Sequence, residues 1–100
     1  MSSQSLKIMV IRGDTIQIEN IITDFDGAAL EPDSHSIQLY TPAGVAQGSA
    51  ETSPTGSGGS YYQRFLIPAD GAAGEWMVQW KATVTGAGSS TERIKFRVVA

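Results

Sequence analysis

The chain has 100 residues, seven Lys or Arg against ten Asp or Glu, a net charge of −3 and no cysteine. Chains of this length usually form one domain with a core that folds without cross-links, so we expect a single domain over residues 1–100. The missing cysteines exclude disulfides and metal–thiolate sites, and the acidic balance argues against non-specific binding of nucleic acid.

No membrane segment or export signal is expected. No apolar run approaches the roughly 20 residues that span a bilayer. Residues 1–5 contain neither the basic nor the apolar segment of a signal peptide, which predicts synthesis in the cytoplasm.

Two strands are predicted in the first quarter of the chain from the alternation of apolar and polar residues. Residues 6–11 form the first, and the turn Arg12-Gly13-Asp14 separates it from the second, over residues 15–24. Ile16, Ile18 and Ile22 are in phase along this strand whereas Ile21 is not, which predicts a mid-strand β-bulge. Residues 24–27 then supply a tight turn.

The middle of the chain alternates short strands with turn residues. Residues 36–40 form a strand, and Thr41-Pro42-Ala43-Gly44 is a turn because Pro suits its second position and Gly its fourth. Residues 45–51 are small and predict a weak strand at a sheet edge. Residues 52–59 are rich in Ser, Thr and Gly and predict a mobile loop. Residues 61–67 form the next strand, ended by a proline.

The segment over residues 74–84 has the clearest pattern in the chain. Its tryptophans and small aliphatic residues alternate with polar residues, which predicts a long strand with one dry face. A hairpin turn over residues 86–90 leads to the last strand, over residues 91–99. About seven strands without a helical period favour an all-β sandwich over a βαβ fold. Phe65, Phe96 and both tryptophans are expected in its core.

The run Gly74-x-Trp76-x-Val78 resembles the Gly-x-Tyr-x-Cys run of the sixth strand of immunoglobulin-like sandwiches. The resemblance places Trp76 where the corner tyrosine stands and Val78 where the second cysteine stands. It implies that packed aliphatic side chains replace the disulfide. An indole N–H is only a donor and can satisfy a different partner from that of a tyrosine hydroxyl, which puts a tyrosine-type corner in question.

A wider set of turns and strand starts is similar to short bacteriophage and prophage immunoglobulin-like structural proteins and baseplate domains, and also to macroglobulin-type modules. The resemblance implies an all-β, immunoglobulin-like antiparallel sandwich of about seven strands. It further implies a non-enzymatic structural module of a virion that contacts other virion proteins or copies of itself. The residues that carry it are Gly13-Asp14-Thr15, Asp26-Gly27, Ile37-Gln38-Leu39-Tyr40-Thr41-Pro42-Ala43-Gly44, Gly59-Ser60-Tyr61-Tyr62, Phe65, Pro68 and Gly74-Glu75-Trp76-Met77-Val78.

The single histidine, His35, lies beside Asp33, Ser34 and Ser36. A catalytic triad needs a nucleophile, base and acid that converge, whereas neighbouring residues of a strand point to opposite sides. We therefore predict an exposed or turn-stabilising histidine, no enzymatic activity and no cofactor.

An acidic cluster offers a weak calcium alternative. Asp24, Asp26 and Asp33 are candidate ligands in a loop, although the EF-hand spacing fails because Ala28 and His35 occupy the fifth and twelfth positions. Aspartates that bond their own turn backbone are the favoured interpretation.

Six side chains are candidate interface residues: Tyr40, Tyr61, Tyr62, Arg93, Lys95 and Arg97. The three basic residues predict the solvated face of the last strand, with an anion-binding stripe as the alternative. A partner strand is expected to add either at residues 45–50 or at the strand that carries the three basic residues. The alternative function is carbohydrate binding on exposed tyrosines, with or without calcium.

Overall fold

The computed structural model of the chain describes residues 3–23, 27–86 and 88–99, with side chains described from residue 9 onward. Strands are the only regular elements in this part of the chain, which confirms the predicted all-β class. No helix among these residues is long and apolar enough to cross a membrane. The strands are β1 (Ser3–Ile11), β2 (Thr15–Ile21), β3 (Ser34–Tyr40), β4 (Ala46–Glu51), β5 (Thr55–Ser57), β6 (Ser60–Leu66), β7 (Gly74–Val84) and β8 (Gly88–Val99).

Two sheets pack together as a β-sandwich. The larger sheet has the strand order β1-β8-β7-β3-β4, and the smaller has the order β2-β6-β5. All neighbouring strands are antiparallel except β1 and β8, which pair in parallel. The prediction of a wholly antiparallel sandwich is therefore wrong at this pair. Because β2 belongs to the other sheet, β1 has no hairpin partner in its own sheet. The chain between β1 and β8 supplies the long connection that parallel pairing needs.

The core lies between the sheets and is built from alternate residues of each strand. In β7 the side chains of Trp76, Val78 and Trp80 are all 0 % exposed, as the two-residue pattern predicts. Phe65 and Phe96 are also buried, so all four predicted core aromatics are confirmed. Full burial of an aliphatic or phenyl side chain contributes about 1.5–3 kcal/mol, which makes this layer the main stabilising element.

Strand β2 lacks the predicted bulge. Its pairing with β6 runs without a register shift from Thr15 opposite Leu66 to Ile21 opposite Ser60. Ile21 is 72 % exposed, whereas Asn20 is 7 % exposed and takes the inward position. Ile22 is buried in phase with Ile16 and Ile18, so Ile21 is an outward-facing residue at the end of the strand.

The predicted loop over residues 52–59 contains a short strand, β5, so the described residues hold eight strands rather than about seven. Gly58 and Gly59 have φ angles of 63° and 87°, and they join β5 to β6. Two consecutive residues with positive φ form the type I′ turn that matches the twist of a hairpin. The Gly-Gly pair was the sequence signal for this hairpin.

The turn between β3 and β4 is confirmed. The N–H of Gly44 donates to the carbonyl of Thr41 at 2.9 Å, and Gly44 has a φ of 81°. Strand β4 lies at the end of the larger sheet, as its small side chains predict.

Candidate functional site

The outer face of the larger sheet carries four cations from two adjacent strands. Ile94, Phe96 and Val98 of β8 are buried, so the alternate residues project away from the core. Arg93 and Arg97 are exposed and Lys95 is half-buried. On β7, Lys81 is exposed on the same outer face. We call this surface the basic face and define it by Lys81, Arg93, Lys95 and Arg97.

Acidic residues are almost missing from the basic face. Within β3, β7 and β8, the outward positions contain one carboxylate, Glu75, which lies opposite Arg97 in register. Arg93 lies opposite Gln79, and Lys95 lies opposite Met77. Uncharged neighbours leave the positive charge of this face largely unneutralised.

The centre of the outer face combines aromatic, thioether and amide groups. Tyr40 of β3 lies opposite Met77, which in turn lies opposite Lys95. Tyr40 and Met77 are half-buried on the outer side, because the residues that alternate with them are in the core. Tyr40 therefore shares one surface with the three basic candidates Arg93, Lys95 and Arg97.

The other two candidate tyrosines lie elsewhere. Tyr62 is half-buried on the outer side of the smaller sheet, where the guanidinium carbon of Arg64 is 5.4 Å from its ring centroid. Tyr61 is 8 % exposed and belongs to the core. The three tyrosines form no common platform, and Tyr61 is not available to a partner at the surface.

His35 joins the two sheets instead of lying exposed or stabilising a turn. The indole Nε1–H of Trp80 donates to Nδ1 of His35 at 3.1 Å. The His35 ring packs at 4.7 Å, centroid to centroid, against Tyr61 of the smaller sheet. Partial burial lowers the pKa of His35. An Nδ1 atom that accepts a hydrogen bond requires the neutral ring with its proton on Nε2.

The residues around His35 do not form a catalytic triad. Ser34 and Ser36 are exposed and alternate with the inward-facing His35. The carboxylate of Asp33 accepts a hydrogen bond from the N–H of Thr85, in the connection between β7 and β8. Adjacent residues of a strand point to opposite sides, so the Ser34 and Ser36 hydroxyls face away from the His35 ring.

Asp33 is the only calcium candidate among the described residues, since Asp24 and Asp26 lie outside them. Its hydrogen bond with Thr85 lowers the pKa of Asp33. Its N–H also donates to the carbonyl of Thr83 at 2.8 Å. Among the described residues, no three His, Asp or Glu side chains are close enough to hold a metal ion. Asp33 thus ties the chain before β3 to the β7–β8 hairpin.

The burial of two polar residues, Asn20 and Glu92, was not predicted from the sequence. Asn20 is 7 % exposed and Glu92 is 3 % exposed. Glu92 lies opposite Trp80 and is in phase with Ile94 along β8. The alternation of inward and outward residues along β8 places Glu92 on the inner face, so its burial could have been predicted from the sequence.

Neither predicted site of strand addition offers a simple open edge. Strand β8 lies between β1 and β7, so a partner strand cannot pair with it, and that prediction is wrong. Strand β4 is an edge, but its pairing with β3 is interrupted between Ile37 and Leu39. The Gln38 side chain fills the gap and donates to the carbonyls of Gln47 and Gly48 at 3.3 and 3.2 Å. Bulged edges resist pairing with another strand.

The fold is a β-sandwich of one five-stranded and one three-stranded sheet. No protein-family model matches the chain, and no curated protein is significantly similar to it. Its function is therefore inferred from its own geometry and chemistry.

Proposed function

We propose that the chain is an immunoglobulin-like, non-enzymatic interaction module of a phage or prophage virion, which acts through protein–protein contacts. The strand order supports the fold assignment. The order β8-β7-β3-β4 corresponds to the G-F-C-C′ sheet of immunoglobulin-like domains, and β2-β6-β5 corresponds to B-E-D.

The environment of Trp76 also supports the immunoglobulin-like assignment. Its indole Nε1–H donates to the carbonyl of Ala72 at 2.8 Å, four residues upstream. In immunoglobulin domains the hydroxyl of the corner tyrosine bonds the backbone a few residues upstream. The indole of Trp76 makes a comparable bond, which fastens the β6–β7 connection to β7.

One observation carries the interaction role: the outer face of the larger sheet displays cations around a half-buried centre. Tyr40 and Met77 lie in this centre, and Arg93 and Arg97 are exposed beside it. Tyr, Met and Arg are enriched in protein interfaces, whereas Lys and Glu, which this face carries as Lys81, Lys95 and Glu75, belong to the polar rim. The face therefore has the anatomy of a docking surface.

The mechanism of such a module is passive. Two packed sheets hold the outer face in place, and the bulge in β4 limits unwanted strand addition at the exposed edge. Contacts to other virion proteins then occur through the pre-formed face with little loss of conformational freedom.

The test combines gene context with solution mass. Genes next to that of the chain are expected to encode head, neck, tail or baseplate proteins. Sedimentation of the purified chain, alone and mixed with the products of those genes, is expected to give a heavier complex in at least one mixture. A monomeric mass that neither concentration nor mixing changes would contradict the proposal.

A further inference from the structure

The charge of the chain is divided between its surfaces. On the outer positions of β3, β7 and β8, the four cations of the basic face stand against Glu75 alone, which gives a net charge of +3. Since the whole chain carries −3, all remaining residues together carry −6. The positive surface on an acidic protein arises because four of the seven Lys and Arg residues share this face with only one of the ten Asp and Glu residues.

The cations act on the same region of space. Alternate residues of a strand are about 6.7 Å apart, so Arg93, Lys95 and Arg97 form a line of three charges. This spacing is shorter than the screening length of about 8 Å at physiological salt, and their fields therefore add. Lys81 extends the line sideways onto β7, where it lies opposite Thr91.

Charge also restricts which partner fits. Two copies that met face to face would bring +3 against +3, so a symmetric dimer through the basic face is disfavoured. A nucleic acid would extend beyond the face and meet the −6 carried by the rest of the molecule. A compact acidic patch on another protein meets neither penalty.

We propose that the basic face docks an acidic patch of a partner protein. This inference deepens the proposed interaction role and rests on it. The cations supply long-range attraction and orientation, while Tyr40 and Met77 supply contact area at the centre.

The size of the face predicts a weak contact for one copy. The three strands that carry it lie about 4.8 Å apart, with outward residues over about 25 Å, and present on the order of 400 Å². Stable interfaces bury about 800 Å² on each partner. A single contact is therefore weak and salt-dependent, and repeated copies on an assembly would raise the overall affinity.

The test is a titration of the ¹⁵N-labelled chain with a 15-residue polyglutamate peptide, followed by amide chemical shifts. The largest shifts are expected at Gln79, Arg93 and Lys95 and should disappear as salt is raised. Shifts that map to another surface, or that are insensitive to salt, would overturn the proposal.

A charge variant and a matched control sharpen the titration. Replacing Arg93, Lys95 and Arg97 by Gln is expected to raise the Kd about tenfold, as the loss of three exposed ion pairs would. The control Thr15→Glu, Ser53→Glu, Ser60→Glu reaches the same net charge at exposed positions elsewhere, and its Kd is expected to stay within about threefold. Equal Kd values for the two variants would refute the assignment of the face.

Nucleic acid provides the remaining comparison. An oligonucleotide of 15 thymidines should bind more weakly than polyglutamate, and tighter binding would overturn the choice of a protein partner. If the glutamine variant does not fold, as judged by its amide spectrum, the chemical-shift map and salt dependence of the native chain still show whether polyglutamate binds the basic face.

The outcomes can separate failure of the acidic-partner inference from failure of the virion role. Polyglutamate binding through the basic face, without any complex between the chain and neighbouring gene products, would leave this inference standing and refute the virion role. A complex with a virion protein that survives the triple glutamine replacement would refute this inference and leave the virion role intact.

Discussion

The two tryptophans of β7 have the same burial but different hydrogen-bond partners. Trp76 and Trp80 are both 0 % exposed and lie on the same face of one strand. The indole of Trp76 donates to a backbone carbonyl, that of Ala72, whereas the indole of Trp80 donates to a titratable side chain, His35. A buried indole N–H needs an acceptor, but the fold meets this need in two ways.

The difference separates a permanent contact from a conditional one. A carbonyl accepts at any pH, so the end of the sandwich near Trp76 has a constant hydrogen bond. Nδ1 of His35 accepts only while the ring is neutral, so the end near Trp80 depends on pH. The following experiments test this contrast.

Removal of either indole should produce the largest effect. Trp76→Ala and Trp80→Ala are each expected to lower the free energy of unfolding by about 3–5 kcal/mol, because both leave a large cavity in a close-packed core. Urea denaturation measures the change. Tyr40→Ala, at the half-buried outer face, is the control and should cost about 1 kcal/mol or less. A tryptophan variant that costs no more than this control would contradict the central role of β7.

A smaller change should affect the Trp76 end alone. A Cβ on Gly71 would lie 3.2 Å from Cζ2 of Trp76 and 3.1 Å from the carbonyl oxygen of Pro68. Gly71→Ala is therefore expected to cost about 1–3 kcal/mol through overpacking.

Tryptophan emission identifies which end responds to Gly71→Ala. The emission of Trp76, measured with Trp80→Phe in the background, should shift, while that of Trp80 with Trp76→Phe should not. The exposed neighbour Ala72, changed to Ser, serves as the control and should alter stability by less than about 0.5 kcal/mol. A shift at Trp80 alone would refute the assignment.

Acid should weaken the Trp80 end before the Trp76 end. Because the pKa of His35 is lowered in the fold, the unfolded chain binds more protons as pH falls below about 6.5. The stability that neutral His35 provides is complete above this pH and declines below it. The loss is on the order of 1 kcal/mol, the net value of one hydrogen bond.

Urea denaturation between pH 7.5 and 5 measures the effect of His35. His35→Gln should remove this pH dependence, and the emission of Trp80 should follow pH while that of Trp76 stays constant. A free energy of unfolding that is flat over this range in the native chain would rule out the mechanism.

The smallest effect is expected at Asp33, which is exposed. Its hydrogen bond from the Thr85 N–H lowers its pKa, so the stability it provides is present above the unfolded value of about 3.9 and is lost as pH falls through the lower folded value. Asp33→Asn should reduce the acid sensitivity below pH 4 and leave the His35 step unchanged. If the free energy of unfolding of this variant falls below pH 4 as steeply as that of the native chain, the Thr85 contact adds no stability.

Local pattern predicted the elements whose residues repeat most regularly. Strand β7 has the bounds that alternation gives, and its heavy residues face the core. The outward placement of Arg93 and Arg97 also follows from the apolar residues between them. Patterns were less informative in β2, where Ile21 ends a strand instead of marking a bulge.

The partners of individual side chains were beyond local pattern. Tyr61 and Tyr62 are adjacent and must face opposite sides, but only packing determines which one enters the core. The contact between His35 and Trp80 joins residues 45 positions apart. No local signal encodes such a pair, because it depends on the register of β3 against β7.

The sequence alone determined the all-β class, the Trp-bearing strand and the sign of the charge along β8, since side-chain alternation and charge are local properties. Tertiary structure decided the parallel pairing of β1 with β8, the enclosed position of β8 and the gathering of four cations from two strands on one face. These features depend on which strands become neighbours. That choice is made by the burial of both sheets against each other, which no single segment of the chain specifies.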